Sequence, residues 1–473
     1  MLFNSFTYLS FILVVIPVFY LLPSKLKNPF LLICSYLFYA YWDWRFCSLL
    51  AITTLTVYLC GKYIFESKEQ NKKKLFLYIS LIVNLGILGL FKYYNFFIDS
   101  FNSAFSVFGG NLDWLHLNLI LPIGISFYTF QALTYVLDIY RGESEPSDSL
   151  IDVALFVSFF PQILAGPIER ARNILPQLKN EHKFELSQFK EGFVLITLGM
   201  FKKVIIGDTA GKIVNQIFAE PSYYASIELI MGVILFSIQI YADFSGYTNI
   251  ARGTAKMFGI NIMENFEQPY FSQSVTELWR RWHISLSTYI RDYVFIPLSI
   301  STRNWGKFSV AFSLFFTFIL VGLWHGAGWT YIIFGALNGS VLVYEALSRK
   351  FRKKLSQKIP AVIYDRLCML MVFVFFTFAL IFFKSASVND VFIILGRIFS
   401  WHEGEFFGRI ILIILSYLFI SFFLDLLEIR YKTHAFLLKF STPSMIGISF
   451  ALWLVIIPYI LQSSPMPFVY FQF

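Results

Sequence analysis

The run Phe6–Leu22, FTYLSFILVVIPVFYLL, decides how the rest of the chain is read. No basic segment precedes it and no small-residue cleavage site follows. The expectation is a retained membrane helix rather than a signal peptide. Comparable apolar runs of spanning length recur along the chain, so its solvent is a bilayer. Composition agrees. Of 473 residues, 57% are hydrophobic, 20% aromatic and only 14% charged, against about a quarter charged in an ordinary soluble domain. The expected fold class is an all-α polytopic membrane protein. Candidate spans fall near 5–22, 29–45, 46–61, 75–98, 118–140, 190–206, 226–250, 308–323, 329–347, 361–383, 409–428 and 444–461.

Basic residues set the orientation. SKLKN at 24–28, KEQNKKK at 68–74, RKFRKK at 349–354 and RYKTH at 430–434 are expected on the cytoplasmic side. The loops 99–116 and 384–392 carry little or no positive charge and are expected outside, with both termini. Lys202 and Lys203 fit this scheme poorly, near an outer end. The excess of 38 basic over 29 acidic residues is a topology signal and implies no nucleic-acid partner. Cys34, Cys47, Cys60 and Cys368 form no CxxC pair or Cys/His cluster, so neither a disulfide framework nor a metal site is expected. Serine-hydrolase, zincin, P-loop and dinucleotide motifs do not occur.

Residues 150–168, LIDVALFVSFFPQILAGPI, hold two prolines and a glycine in an apolar run. Such broken backbone survives at membrane depth only when buried in protein or lining a cavity, so a re-entrant segment is expected. ELWRRWHISLSTYIRDY at 277–293 is the opposite case, rich in charge. On a helix, Trp279, Trp282, His283, Leu286, Tyr289, Ile290 and Tyr293 share one face, and Glu277, Arg280, Arg281, Ser287, Thr288 and Arg291 the other. That division predicts an interfacial amphipathic helix over about 270–293, with a Glu277–Arg281 ion pair. His283 on the buried side reads either as a packed histidine or as a functional one.

His325 lies within LVGLWHGAGWTYIIFGALNG, 320–339, flanked by Gly322, Gly326 and Gly328. An ionisable side chain inside a span usually marks a pathway or a reaction site. A neutral imidazole there suits a general base for a hydroxyl. The alternative is a small-residue helix contact with His325 as an interhelical hydrogen bonder. In SIQIYADFSGYTNIARG, 237–253, the polar residues Gln239, Asp243, Ser245 and Asn249 interrupt another apolar span. Asp243 reads equally as orienting a histidine or lining a polar tunnel, and as capping a helix broken at Phe244–Gly246.

Four motifs, FFPQILAGPIERA, YADFSGYTNIARG, ELWRRWHISLSTYIRDYVFIPL and LWHGAGWTYIIFGALNG, together resemble the membrane-bound O-acyltransferases. They are most similar to the bacterial branch that O-acetylates polysaccharides such as alginate and peptidoglycan, with teichoic acid D-alanyl transfer as a neighbouring branch. The resemblance implies a single membrane domain over 1–473: a ring of about 11–12 tilted helices, with re-entrant and interfacial helices around a central tunnel. It implies His325 as the catalytic histidine and His283 as a second characteristic one. Arg280, Arg281 and Arg291 would meet donor phosphates, or anchor lipid headgroups. Trp324, Asp243, Ser245, Gln239 and Asn338 would line the tunnel. The donor would be acetyl-CoA, with no bound cofactor or metal. The partners would be membrane lipid, a polysaccharide acceptor and an extracytoplasmic acetyltransferase of the SGNH type, at a bacterial cytoplasmic membrane. D-alanyl transfer from a carrier protein, and a proton-coupled secondary transporter, are the alternatives.

Two positions depart from the branch. LSISTRNWGKF follows Pro297 where a Gly-Gly turn is usual, and Asn249 stands where an acidic residue is common. The chain end, 465–473, is an aromatic tail, Phe468, Val469, Tyr470, Phe471, Gln472 and Phe473 following Pro465 and Pro467. A packed, folded-back tail is one reading. By the same resemblance Tyr470 is an acyl-accepting nucleophile. Its phenol has an ordinary pKa of about 10 and would need an adjacent base such as His325.

Overall fold

The computed structural model describes residues 1–106, 112–403, 408–462 and 466–471. Parts of the 99–116 loop and of the 465–473 tail therefore lie outside the described residues. Among those described, the chain is helical, and the one pairing of extended backbone is an isolated antiparallel bridge between Phe266 and Trp282. Among the described residues, eight helical stretches are long and apolar enough to cross a membrane. The twelve expected spans reach that number for local reasons. Two of them merge in Ser24–Glu66, whose 43 residues include a single-turn 3-10 joint at Trp44–Phe46. Three others form shorter helices: Phe6–Leu21, Ile125–Tyr140 and Leu186–Met200. Ile125–Tyr140 starts late because Pro122 and Gly124 precede it. Gly124 has φ +77°, and an added Cβ would strike the Ile163 carbonyl oxygen. The last of the three passes into a π-helical segment, Phe201–Asp208.

The chain divides into two compact units, Met1–Ile196 with Ile250–Met263, and Thr197–Asn249 with Glu264–Phe473. In the first, the run 150–168 breaks where its prolines predict. The Leu150–Ser158 helix ends in irregular backbone, and every residue from Val153 to Ala171 is buried. Its backbone groups find internal partners. Phe160 N–H donates to Ser35 Oγ at 3.1 Å, and the Gln131 amide donates to the Phe156 carbonyl at 2.5 Å. Buried irregular backbone needs such internal partners.

The second unit holds every expected site residue. Its helices include Lys307–His325, Trp329–Leu347, Ala361–Lys384 and Thr442–Gln462. Lys307–His325 and Trp329–Leu347 form a tight hairpin. An added Cβ at Gly322 would strike the Tyr331 carbonyl oxygen, one at Gly335 the Phe318 carbonyl oxygen, and one at Gly339 would come within 3.1 Å of the Phe315 Cα. The glycines around His325 therefore serve close backbone approach. Before the hairpin the chain turns at Gly306, at φ +60° and ψ −128°, a conformation only glycine adopts freely.

Candidate active site

The charged segment does not form one helix. Val275–Arg281 and Ile284–Ile290 are separate helices, followed by a π-helical turn at Arg291–Phe295. Between them His283 takes a left-handed backbone conformation, φ 45° and ψ 54°. That region costs a non-glycine residue roughly 1–2 kcal/mol, so something must hold it. The segment 265–267 does. Glu267 N–H donates to the Arg281 carbonyl at 3.0 Å, Ile284 N–H to the Asn265 carbonyl at 3.0 Å, and Ser285 N–H to Asn265 Oδ1 at 3.1 Å. Helical periodicity assumed straight propagation through these residues, and long-range pairing overrode it. The two faces survive the break. Trp279, Trp282, Leu286, Tyr289 and Ile290 are buried, while Arg280 and Arg291 are exposed. Glu277 and Arg281 pair at 2.7 Å, as the spacing predicts.

The break turns His283 fully inward, at 0% exposure. Burial lowers its imidazole pKa from the usual 6.5 to about 3, so the ring is neutral at physiological pH. It stands edge-on to Phe244 with ring centres 4.6 Å apart, and 5.7 Å from Trp324. His325 closes the Lys307–His325 helix, 3% exposed, where Gly326 N–H bonds back to the Gly322 carbonyl. Phe383, from the end of Ala361–Lys384, lies 5.2 Å from it.

Tyr470 joins the two histidines. Its ring centre is 5.4 Å from that of His325 and 6.2 Å from that of His283. Phe244, Phe383 and Phe468 complete its surroundings at 4.7, 5.8 and 5.2 Å. Pairs of this kind contribute about 0.5–1.5 kcal/mol each beyond the area they bury, so the described part of the tail, 466–471, has ample packing to stay docked. Burial pushes the phenol well above its ordinary pKa. A hydrogen bond from Trp282 opposes that shift, and the Asp243 carboxylate adds to it. A buried phenol so placed is a poor nucleophile without a base.

Beside this centre lies a cavity of about 770 Å³. Arg280, Arg291, Arg349 and Arg352 line it, together with apolar groups that include Trp279, Phe318 and Val321. Val321 is one helical turn before His325. Two of the three arginines expected at the donor phosphates thus face one cavity. Arg281 is not among its lining residues.

The remaining polar residues divide by partner. Asn338 accepts from Trp279 Nε1 at 3.1 Å and donates to the Phe334 carbonyl at 2.9 Å, so it fixes the Trp279 indole. Ser245, Gln239 and Trp324 are buried, with Gln239 against Gly211. The helix Ser226–Met257 runs unbroken through Phe244–Gly246, so Asp243 caps nothing there. No bond from Asp243 to a histidine is present among the described contacts. Its carboxylate instead pairs with Lys203 Nζ at 2.5 Å and accepts from Val469 N–H at 2.7 Å.

Sequence reasoning missed these lysine contacts. Lys202 pairs with Glu428 at 2.6 Å, and both are buried. Glu428 also meets His434 at 2.8 Å. Burial works against charge on that imidazole, and the Glu428 carboxylate outweighs it, raising the pKa to about 9. The signal was the misfit itself. Two lysines that suit neither membrane face call for buried acidic partners.

Comparison with known proteins places the chain in a class. The family model of the membrane-bound O-acyltransferases matches residues 33–383, and the chain belongs to that family. It is a multi-pass membrane O-acyltransferase. Among its relatives, the probable alginate O-acetylase AlgI of Pseudomonas putida is 41% identical over 72% of this chain and 70% of its own length. The peptidoglycan O-acetyltransferase of Helicobacter pylori is 33% identical over 79% and 74%. The teichoic acid D-alanyltransferase of Bacillus subtilis is 32% identical over 50% and 62%.

Proposed function

We propose that the chain moves an acetyl group from cytoplasmic acetyl-CoA across a bacterial cytoplasmic membrane for O-acetylation of a cell-envelope or extracellular polysaccharide. The observation that carries this reading is the packing of Tyr470 against both His325 and His283 in one buried centre. The Tyr470 oxygen attacks the thioester carbonyl carbon, a C–O bond forms and the C–S bond breaks. His325 takes the phenol proton and returns it to the departing thiolate. The tyrosyl ester then gives its acyl group to an outer hydroxyl, through a partner of the SGNH type, and the phenol is restored. Neutral His283 orients the ring and keeps a second charge out of the centre. Arg280 and Arg291, lining the cavity beside the Lys307–His325 helix, attract the phosphates of the donor. Relatives named for alginate and peptidoglycan O-acetylation support a polysaccharide acceptor.

The donor is tested by binding. Acetyl-CoA at a hundredfold excess over its Kd stabilises the folded protein by about 2.7 kcal/mol, so the melting temperature of the purified chain is expected to rise. If only an acylated carrier protein stabilised it and supplied the acyl group, D-alanyl-type transfer would replace this reading. Orientation is tested separately. Arg280→Cys and Arg291→Cys are expected to react with an impermeant thiol reagent in inverted vesicles and not in intact cells. Labelling from outside the cell reverses the assigned topology.

A further inference from the structure

The rings of the tail that carries Tyr470 pack largely through non-directional contacts, and the hydrogen bond from Trp282 reaches only the phenol oxygen, so none of these contacts fixes the backbone register. A slip of one residue would present Val469 or Phe471 to the histidines. A directional contact to the tail backbone prevents that. Val469 N–H, adjacent to Tyr470, donates to Asp243 Oδ2 at 2.7 Å, and both groups are buried. Asp243 Oδ1 pairs with Lys203 Nζ at 2.5 Å, and Lys203 also holds Asp208 at 2.5 Å. The same ammonium reaches the Met466 carbonyl at 3.5 Å. One lysine and one carboxylate therefore grip the tail at two backbone points, on either side of Phe468.

The helices that carry this pair are built to stay close. A Cβ added at Gly207 would lie 3.1 Å from Asp243 Cα, and one at Gly246 would lie 2.7 Å from Lys203 N. Lys203 sits in the π-helical segment Phe201–Asp208, and such segments recur at functional sites.

We propose that the buried Lys203–Asp243 pair is the anchor that sets the register of the C-terminal tail, with Asp243 a positioning residue for Tyr470. Its catalytic consequence rests on the reading of Tyr470 as the acyl carrier. A hydrogen bond from a backbone N–H to an ionised carboxylate is short and strong. Lys203 compensates the buried charge that the bond requires.

The test reads docking without reading activity. Purified full-length protein in detergent is treated with a carboxypeptidase, and loss of Tyr470 is followed by mass spectrometry. The unaltered chain is expected to retain Tyr470. Asp243→Asn removes the ionised acceptor, and Val469→Pro removes the donor while leaving every aromatic ring. Each is expected to lose Tyr470 about tenfold faster or more, the scale of a hydrogen bond to a charged group. The double variant is expected to be no worse than the weaker single one, because both break the same contact. Transfer is expected to fall about tenfold or more with donor KM unchanged, since the donor cavity is intact. If Asp243→Asn fails to fold, Val469→Pro decides alone, because it alters no residue of the helical core. Tyr470 protected in Val469→Pro as in the parent overturns the anchor. Tyr470→Phe keeps every anchoring group and is expected to stay protected. If it also remained active, the carrier reading would fail while the anchor stood.

Discussion

Replacing His325 with alanine is expected to lower acyl transfer by about two to four orders of magnitude while leaving the protein folded. The range is that of a lost general base, about 2.7–5.4 kcal/mol of barrier at 1.36 kcal/mol per decade. His325 is the right group for so large an effect. It lies at the end of a rigid hairpin, buried, with its ring 5.4 Å from Tyr470. The hairpin does not depend on the imidazole, because Gly322, Gly335 and Gly339 bring its two backbones together. The check uses purified variant with labelled acetyl-CoA and acceptor, beside its melting temperature. Retention of more than about a tenth of the parent rate would remove His325 from the role of base. His283→Ala is expected to cost less, because positioning tolerates loss better than proton transfer does.

Tyr470→Phe is expected to abolish transfer to the acceptor almost completely. The substitution keeps the ring that packs between Phe244, Phe383 and Phe468 and removes one oxygen. The bond lost to Trp282 is worth about 1 kcal/mol in stability, too little to unfold the unit. A carrier without its nucleophilic oxygen, by contrast, forms no ester at all. Donor added without acceptor is therefore expected to leave an acetyl ester on the C-terminal peptide of the parent and none on the variant. An active variant, together with a parent peptide free of ester, would show that the tail only packs. Transfer would then pass directly from donor to acceptor at His325.

The membrane class, most of the spans and the broken segment at 150–168 were readable from sequence. Each follows from local rules: apolar length against bilayer thickness, and prolines against the helical ladder. The family was readable because motif order survives in the chain itself. The two faces of 277–293 were readable, since burial follows side-chain type. What failed there was the single helix. The kink at His283 is imposed by Asn265 and Glu267, more than ten residues away, and no periodicity within 277–293 encodes it. The chain alone determined that this protein is a multi-pass membrane protein and which residues are candidates for chemistry there. Only the tertiary structure decided that His283, His325 and Tyr470 share one centre, and that Lys203 and Asp243 hold the tail to it. These groups lie far apart along the chain, and nothing local sets their distances. They meet because glycines let particular helices approach, and because a buried charge must find its partner wherever the fold supplies one.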